Sequence, residues 1–182
     1  IMMEVSRNKT LNKKFLNHVK KVSHKKGIIL IFDECTSGFR ETFGGIYKKI
    51  NIQPDIVVLG KALGNGYPIN AIIGKKEVMS HAKKTFISST FWTERLGPVA
   101  ALKTLDIMEK LKSWEIITKK GNFLNKQWLK IAKENNLNLK INGLPSISKF
   151  MIKSENFQAY KTFITQEMLK EGFLASNYVY LS

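Results

Sequence analysis

Two short runs of apolar, largely β-branched residues break the otherwise Lys-rich pattern of the chain. Gly27-Ile28-Ile29-Leu30-Ile31-Phe32 ends at Asp33-Glu34, and Asp55-Ile56-Val57-Val58-Leu59-Gly60 ends at Lys61. Neither run alternates with polar residues, so each reads as a strand buried on both faces, as in a parallel sheet covered by helices. Residues 70–74 form a further apolar strand, and Ile1 to Val5 reads as a strand entered without a preceding turn. Apolar positions at Leu11, Phe15, Val19 and Val22 predict a helix over 12–26, with Lys on its other face and Gly27 closing it. Residues 42–52 read as a loop with one helical turn, and Gly64-Asn65-Gly66-Tyr67-Pro68 as a tight turn. A short helix through Ala82 follows. Pro98 stands where a helix opens, with Val99, Leu102, Leu105 and Met108 to Leu111 as its apolar face. Another helix spans 114–135.

The pattern changes at Leu139. Strands at 139–141 and 147–152 flank Gly143-Leu144-Pro145, and a helix over 158–171 ends at Gly172. The expected organisation is an α/β domain over residues 1–125, its sheet mostly parallel, and the start of a smaller α+β domain over 126–182.

This topology suggests where chemistry would sit. In open parallel sheets, ligands collect just beyond the carboxyl ends of the strands. Asp33 and Lys61 lie at those ends, so two strands deliver a carboxylate and an amine to one edge. An aldehyde cofactor that needs an amine to form a Schiff base, and a carboxylate to keep a ring nitrogen protonated, would use such a pair.

The segments carrying these residues resemble the class III aminotransferases of the fold-type-I pyridoxal-phosphate enzymes. The matching text is LIFDE at 30–34, GFR at 38–40, PDIVVLGKALGNGYPINAIIG at 54–74 and SSTF at 88–91. GFR after DE is more similar to the glutamate-1-semialdehyde aminomutase branch than to the ω-aminotransferases. The resemblance implies a three-layer large domain, pyridoxal 5′-phosphate as cofactor, a small amino or carbonyl substrate, and a homodimer with shared active sites. It implies that Lys61 forms the Schiff base and then shuttles a proton. Asp33 is implied as partner of the ring nitrogen, and Cys35 as packing beneath the cofactor. Ser89 and Thr90 fall where the family binds the phosphate of the neighbouring subunit's cofactor. The family's short link from that Thr to a Pro is longer here, spanning 91–97, so Trp92 and Arg95 are expected to reach the pocket.

Several residues stay open. Arg40 suits either a substrate carboxylate or a structural ion pair. Glu34 alternates in direction with Asp33 and is expected to face elsewhere, towards a second domain or the substrate entrance. GNGYP is a weak phosphate-loop match and more naturally lets backbone pass close to a cofactor or a dimer partner. Family members are much longer, so the chain is expected to be an internal portion of one, inactive alone.

A formal charge of +16 raises the prospect of nucleic-acid binding. However, 27 of the 30 basic residues are Lys, dispersed along the chain, and the Arg fork that grips phosphate and bases is nearly absent. This distribution argues against nucleic acid. A single Cys precludes an intrachain disulfide and suits a reducing cytoplasm. No stretch is apolar enough for a membrane helix, and His18, His24 and His81 form no metal-ligand pattern. The competing readings are a basic, non-catalytic binding module on the same sheet, or aminotransfer to a keto-sugar or other carbonyl compound.

Overall fold

The computed structural model describes residues 1–6, 12–91 and 93–182. Leu11 and Trp92, both singled out in the sequence, lie outside the described residues. The described chain separates into two compact units, residues 1–6 with 12–114, and residues 115–182.

The first unit is built on a four-stranded sheet in the order β1-β2-β3-β4. Strand β1 (Met2–Glu4) pairs parallel with β2 (Ile31–Asp33), which pairs parallel with β3 (Ile56–Leu59). Strand β4 (Ala71–Gly74) runs antiparallel to β3, bringing Ala71 opposite Leu59. The sheet is therefore mostly parallel, and the C-terminal ends of β1, β2 and β3 share one edge. Helix α1 (Lys13–Lys25) makes the crossover from β1 to β2 and is capped by Asn12, whose Oδ1 accepts from Phe15 N–H at 3.0 Å.

Leu16, Leu30, Phe32, Ile46, Ile52, Val57, Leu59 and Leu63 form the core of this unit. Burying a side chain such as Phe32 completely stabilises by about 1.5–3 kcal/mol.

Three expectations change here. Strand β2 is shorter than its apolar run, because Gly27 turns the chain at φ 62° and Ile28 and Ile29 stay exposed. The backbone N–H of Leu30 then bonds to the Asp55 carboxylate (2.8 Å) rather than to a strand. Burial along β2 and β3 also alternates: Phe32, Val57 and Leu59 are buried, while Ile31, Ile56 and Val58 are only half-buried. Finally, α1 buries Leu16 and Ser23, leaving Phe15 and Val22 exposed, so its inward stripe is rotated from the one its apolar residues suggest.

After β2, helix α2 (Tyr47–Ile50) makes a single turn; after β4 comes α3 (Lys76–Met79). Helix α4 (Leu96–Leu111) starts two residues before Pro98, capped by the Glu94 carboxylate, which accepts from the N–H groups of Leu96 and of Gly97 (2.9 Å). Its inward face is Gly97 and Ala101, and Val99 and Leu102 point outward, contrary to the expected apolar face.

Helix α5 (Ser113–Glu134) carries the chain into the second unit. There β5 (Leu139–Asn142), β6 (Ile147–Ile152) and β7 (Tyr178–Tyr180) form an antiparallel sheet in sequence order, with α6 (Phe157–Lys170) between β6 and β7. The Trp128 and Phe150 rings meet edge to face at 4.9 Å. Gly121 admits the Pro145 carbonyl against α5: a Cβ there would sit 1.9 Å from that oxygen. Among the described residues, no helix is long and apolar enough to cross a membrane.

Candidate active site

The carboxyl edge of the first sheet gathers Glu4, Asp33 and, two residues beyond β3, Lys61. Cys35 lies among them. Burial pushes its thiol up, the Asp33 carboxylate adds to that shift, the Lys61 ammonium opposes it, and Glu4 adds weakly. A thiol shifted this way stays protonated and un-nucleophilic. A Cβ on Gly60 would lie 3.3 Å from Cys35 Sγ, which measures how closely the turn after β2 approaches the end of β3.

The turn after β2 is held by both acids of the DE pair. Asp33 Oδ1 accepts from the N–H of Cys35 at 3.0 Å, and the N–H of Gly38 donates to the Glu34 carbonyl at 2.8 Å. Glu34 does not point towards a second domain or an entrance. Its side chain is completely buried and accepts from Ser37 Oγ (3.0 Å), Ile46 N–H (2.6 Å) and Tyr47 N–H (3.0 Å). Burial pushes its carboxyl up, and the two backbone donors and the Ser37 hydroxyl oppose that shift. Glu34 thus ties the start of α2 to the turn, keeping both beside the sheet edge.

Lys61 begins a one-turn 3₁₀ helix, Lys61–Leu63, with its backbone in the left-handed region at φ 44°. For a residue with a Cβ this conformation is costly, and such positions cluster at functional sites. The turn fixes it there: the Lys61 carbonyl accepts from both Gly64 and Asn65 N–H at 3.1 Å. Gly64 is needed for close approach, since a Cβ would fall 2.1 Å from the Tyr67 carbonyl oxygen. The Lys61 side chain turns back to β2, where Nζ donates to Thr36 Oγ1 at 2.6 Å. Thr36 is buried, and neither it nor Ser37 stands out in the sequence as a site residue. Their hydroxyls in the residues after DE were the available signal.

The remaining site candidates lie apart from this cluster. Ser88, Ser89 and Thr90 are exposed in an irregular segment before α4, and Ser89 Oγ accepts from Phe91 N–H at 3.2 Å. Arg95 is exposed and Arg40 half-buried. Around Ser88–Thr90, apolar side chains face outward in series: Phe86 is 96% exposed, and Ile87, Phe91, Leu96, Val99 and Leu102 are all more than half exposed. Chemically, the edge offers one primary amine hydrogen-bonded to the Thr36 hydroxyl and one half-buried carboxylate on the adjacent strand.

Comparison with known proteins shows the family and the fold. A family model described as "Aminotransferase class-III" matches residues 9–178. The chain is 35% identical over 153 residues to the 3-aminobutyryl-CoA aminotransferase of Cloacimonas acidaminovorans (strain Evry), covering 84% of this chain and 37% of that protein. It is 30% identical over 165 residues to the glutamate-1-semialdehyde 2,1-aminomutase of Sulfurihydrogenibium sp. (strain YO3AOP1), covering 87% and 39%. Among solved structures, the PLP internal aldimine form of the FumI protein from Sphingopyxis sp. MTA144 superposes with a TM-score of 0.91 at 23% identity, covering 100% of this chain and 46% of that one. Acetylornithine aminotransferase from Elizabethkingia anophelis gives a TM-score of 0.85 at 25% identity, covering 100% and 48%. The fold is that of these fold-type-I transaminases, and the chain spans 37% and 39% of the two curated relatives' lengths.

Proposed function

The chain belongs to the class III aminotransferases, and from that premise we propose that it is the lysine-bearing portion of an enzyme that moves an amino group using pyridoxal 5′-phosphate. The observation that carries this reading is that Asp33 ends β2 and Lys61 follows the end of the adjacent, parallel β3, at one sheet edge. The donor set fits the cofactor: a primary amine matches its aldehyde, and a carboxylate matches its pyridine nitrogen. When bound, the cofactor supplies an electrophilic carbon and an electron-withdrawing ring.

Lys61 Nζ would hold the cofactor through its aldehyde carbon and, when freed by the substrate's amine, would carry the proton between the substrate Cα and that carbon. Asp33 would keep the ring nitrogen protonated; one of its carboxylate oxygens already accepts from Cys35 N–H, and the other would be available for that role. Cys35, with its thiol held neutral, would pack against the cofactor. The substrate is a small amino or carbonyl compound, handled either between two molecules or within one.

The exposed apolar series from Phe86 to Leu102 supports a homodimer, because a surface this apolar is normally covered. In that dimer Ser89 and Thr90, at the centre of the series, reach the phosphate of the partner's cofactor. The single, half-buried cysteine is a free thiol, which supports a reducing, cytoplasmic setting. The proposed cofactor domain covers residues 1–125 and the start of the second domain 126–182; the compact units divide somewhat earlier, after Trp114. Spectroscopy tests the proposal: the full chain mixed with pyridoxal phosphate gains a visible absorbance band, and Lys61→Ala abolishes it. A wild-type protein without the band would favour the non-catalytic binding module.

A further inference from the structure

Lysine carries four rotatable bonds, and an unrestrained amine would sweep a wide volume. Lys61 is not left unrestrained. Its Nζ lies 2.6 Å from Thr36 Oγ1, across from β3 to the turn after β2. That turn cannot easily yield. Asp33 holds the N–H of Cys35 on one side of Thr36, and Glu34 holds the Ser37 hydroxyl on the other. Thr36 is itself buried, and a β-branched side chain has few χ1 choices. A hydroxyl in such a seat is a fixed point.

We propose that Thr36 is a positioning residue for Lys61, its hydroxyl holding the amine at the sheet edge and aiming its lone pair at an incoming carbonyl carbon. The oxygen of a threonine accepts an N–H from either protonation state of the amine. While it does so, the lone pair of the neutral amine necessarily points away from Thr36. The tether therefore restrains the nitrogen without blocking its nucleophilic side. Thr36 acts only through Lys61. This inference rests on the reading of Lys61 as the amine that joins the cofactor, and its test has one arm that does not need the cofactor.

Three proteins are compared: wild type, Thr36→Ser, which keeps the hydroxyl, and Thr36→Val, which keeps the branched shape and removes it. In the first arm, cofactor-free protein is treated briefly with acetic anhydride, and Lys61 labelling is measured by mass spectrometry against exposed Lys112 in the same digest. Because the tether leaves the lone pair free and directed outward, it predicts rapid labelling of Lys61 in wild type and Thr36→Ser, and several-fold slower labelling in Thr36→Val. In the second arm, rapid mixing with pyridoxal phosphate follows the growth of visible absorbance. Thr36→Val slows it on the order of ten- to a hundredfold, the scale on which misplacing a reacting group acts, while Thr36→Ser stays near wild type. Equal labelling of Lys61 in wild type and Thr36→Val, with equal mixing rates, would overturn the proposal. If Thr36→Val does not fold, wild-type Lys61 labelled more slowly than exposed Lys112 overturns it equally. Absence of a visible band in wild type would refute the cofactor reading, and the labelling arm would still decide the tether.

Discussion

Replacing Lys61 by glycine should give a more stable protein than replacing it by alanine, the reverse of the usual order. The reason lies in the backbone at φ 44°, where a side chain's Cβ crowds the following carbonyl. That conformation costs an L-residue about 1–2 kcal/mol. Glycine adopts it freely but gives up about 0.5–1 kcal/mol more chain entropy than alanine on folding. The difference favours glycine by about 0.5–1 kcal/mol. Both substitutions remove the bond from Nζ to Thr36, so the comparison isolates the backbone. With a urea dependence of about 2 kcal/mol per molar, the unfolding midpoint of Lys61→Gly should lie about 0.3–0.5 M above that of Lys61→Ala. Urea titration of the two cofactor-free variants, followed by circular dichroism, measures it. Alanine equal to or more stable than glycine would refute the claim that this lysine sits in a strained conformation held by its surroundings.

Three other outcomes follow from the same geometry. Gly121→Ala should destabilise the second unit by about 1–3 kcal/mol in denaturant titrations, despite alanine's better helix propensity, because its methyl would collide with the Pro145 backbone. Glu34→Gln should cost about 1–3 kcal/mol by leaving an N–H of Ile46 or Tyr47 without an acceptor. Because the folded protein raises the Glu34 carboxyl above 4.5, wild type loses stability as pH rises through the folded value; the penalty of Glu34→Gln should therefore shrink from below pH 4.5 to neutral. For Asp55, burial pushes the carboxyl up, but the Lys75 ammonium at 2.7 Å and the Leu30 N–H outweigh it and hold the group below 3.8. That stability is present above pH 3.8 and is lost as pH falls through the folded value, so Asp55→Asn should cost up to about 1 kcal/mol at neutral pH and nothing in strong acid.

The strands that position the site were legible because apolar, β-branched runs ending in Asp33 and Lys61 admit few other readings. What escaped was anything decided by long-range contact. The buried face of α1 differs from the apolar pattern because Leu16 and Ser23, not Phe15 and Val22, are the residues it buries. On α4, Val99 and Leu102 form a periodic stripe, yet Gly97 and Ala101 lie inward, since small residues allow the helix to approach. Periodicity reports that a face is apolar, not what covers it. The start of α4 moved upstream of Pro98 because the Glu94 carboxylate, rather than the proline, satisfies its first N–H groups. Thr36 and Glu34 draw their importance from partners 25 and 12 residues away, which no local pattern reveals. Sequence spacing brought Lys61 and Asp33 to one edge; it did not contain the hydroxyl that holds the amine there.

The central claim is that the Lys61 amine, and no other of the many lysines, joins the aldehyde of pyridoxal phosphate. The most direct measurement is to load the full chain with the cofactor, reduce it with borohydride, digest it and locate the phosphopyridoxyl group by mass spectrometry. The account predicts that the group sits on the peptide containing Lys61, at one per chain. A group found on another lysine, or scattered over many of them, would contradict it.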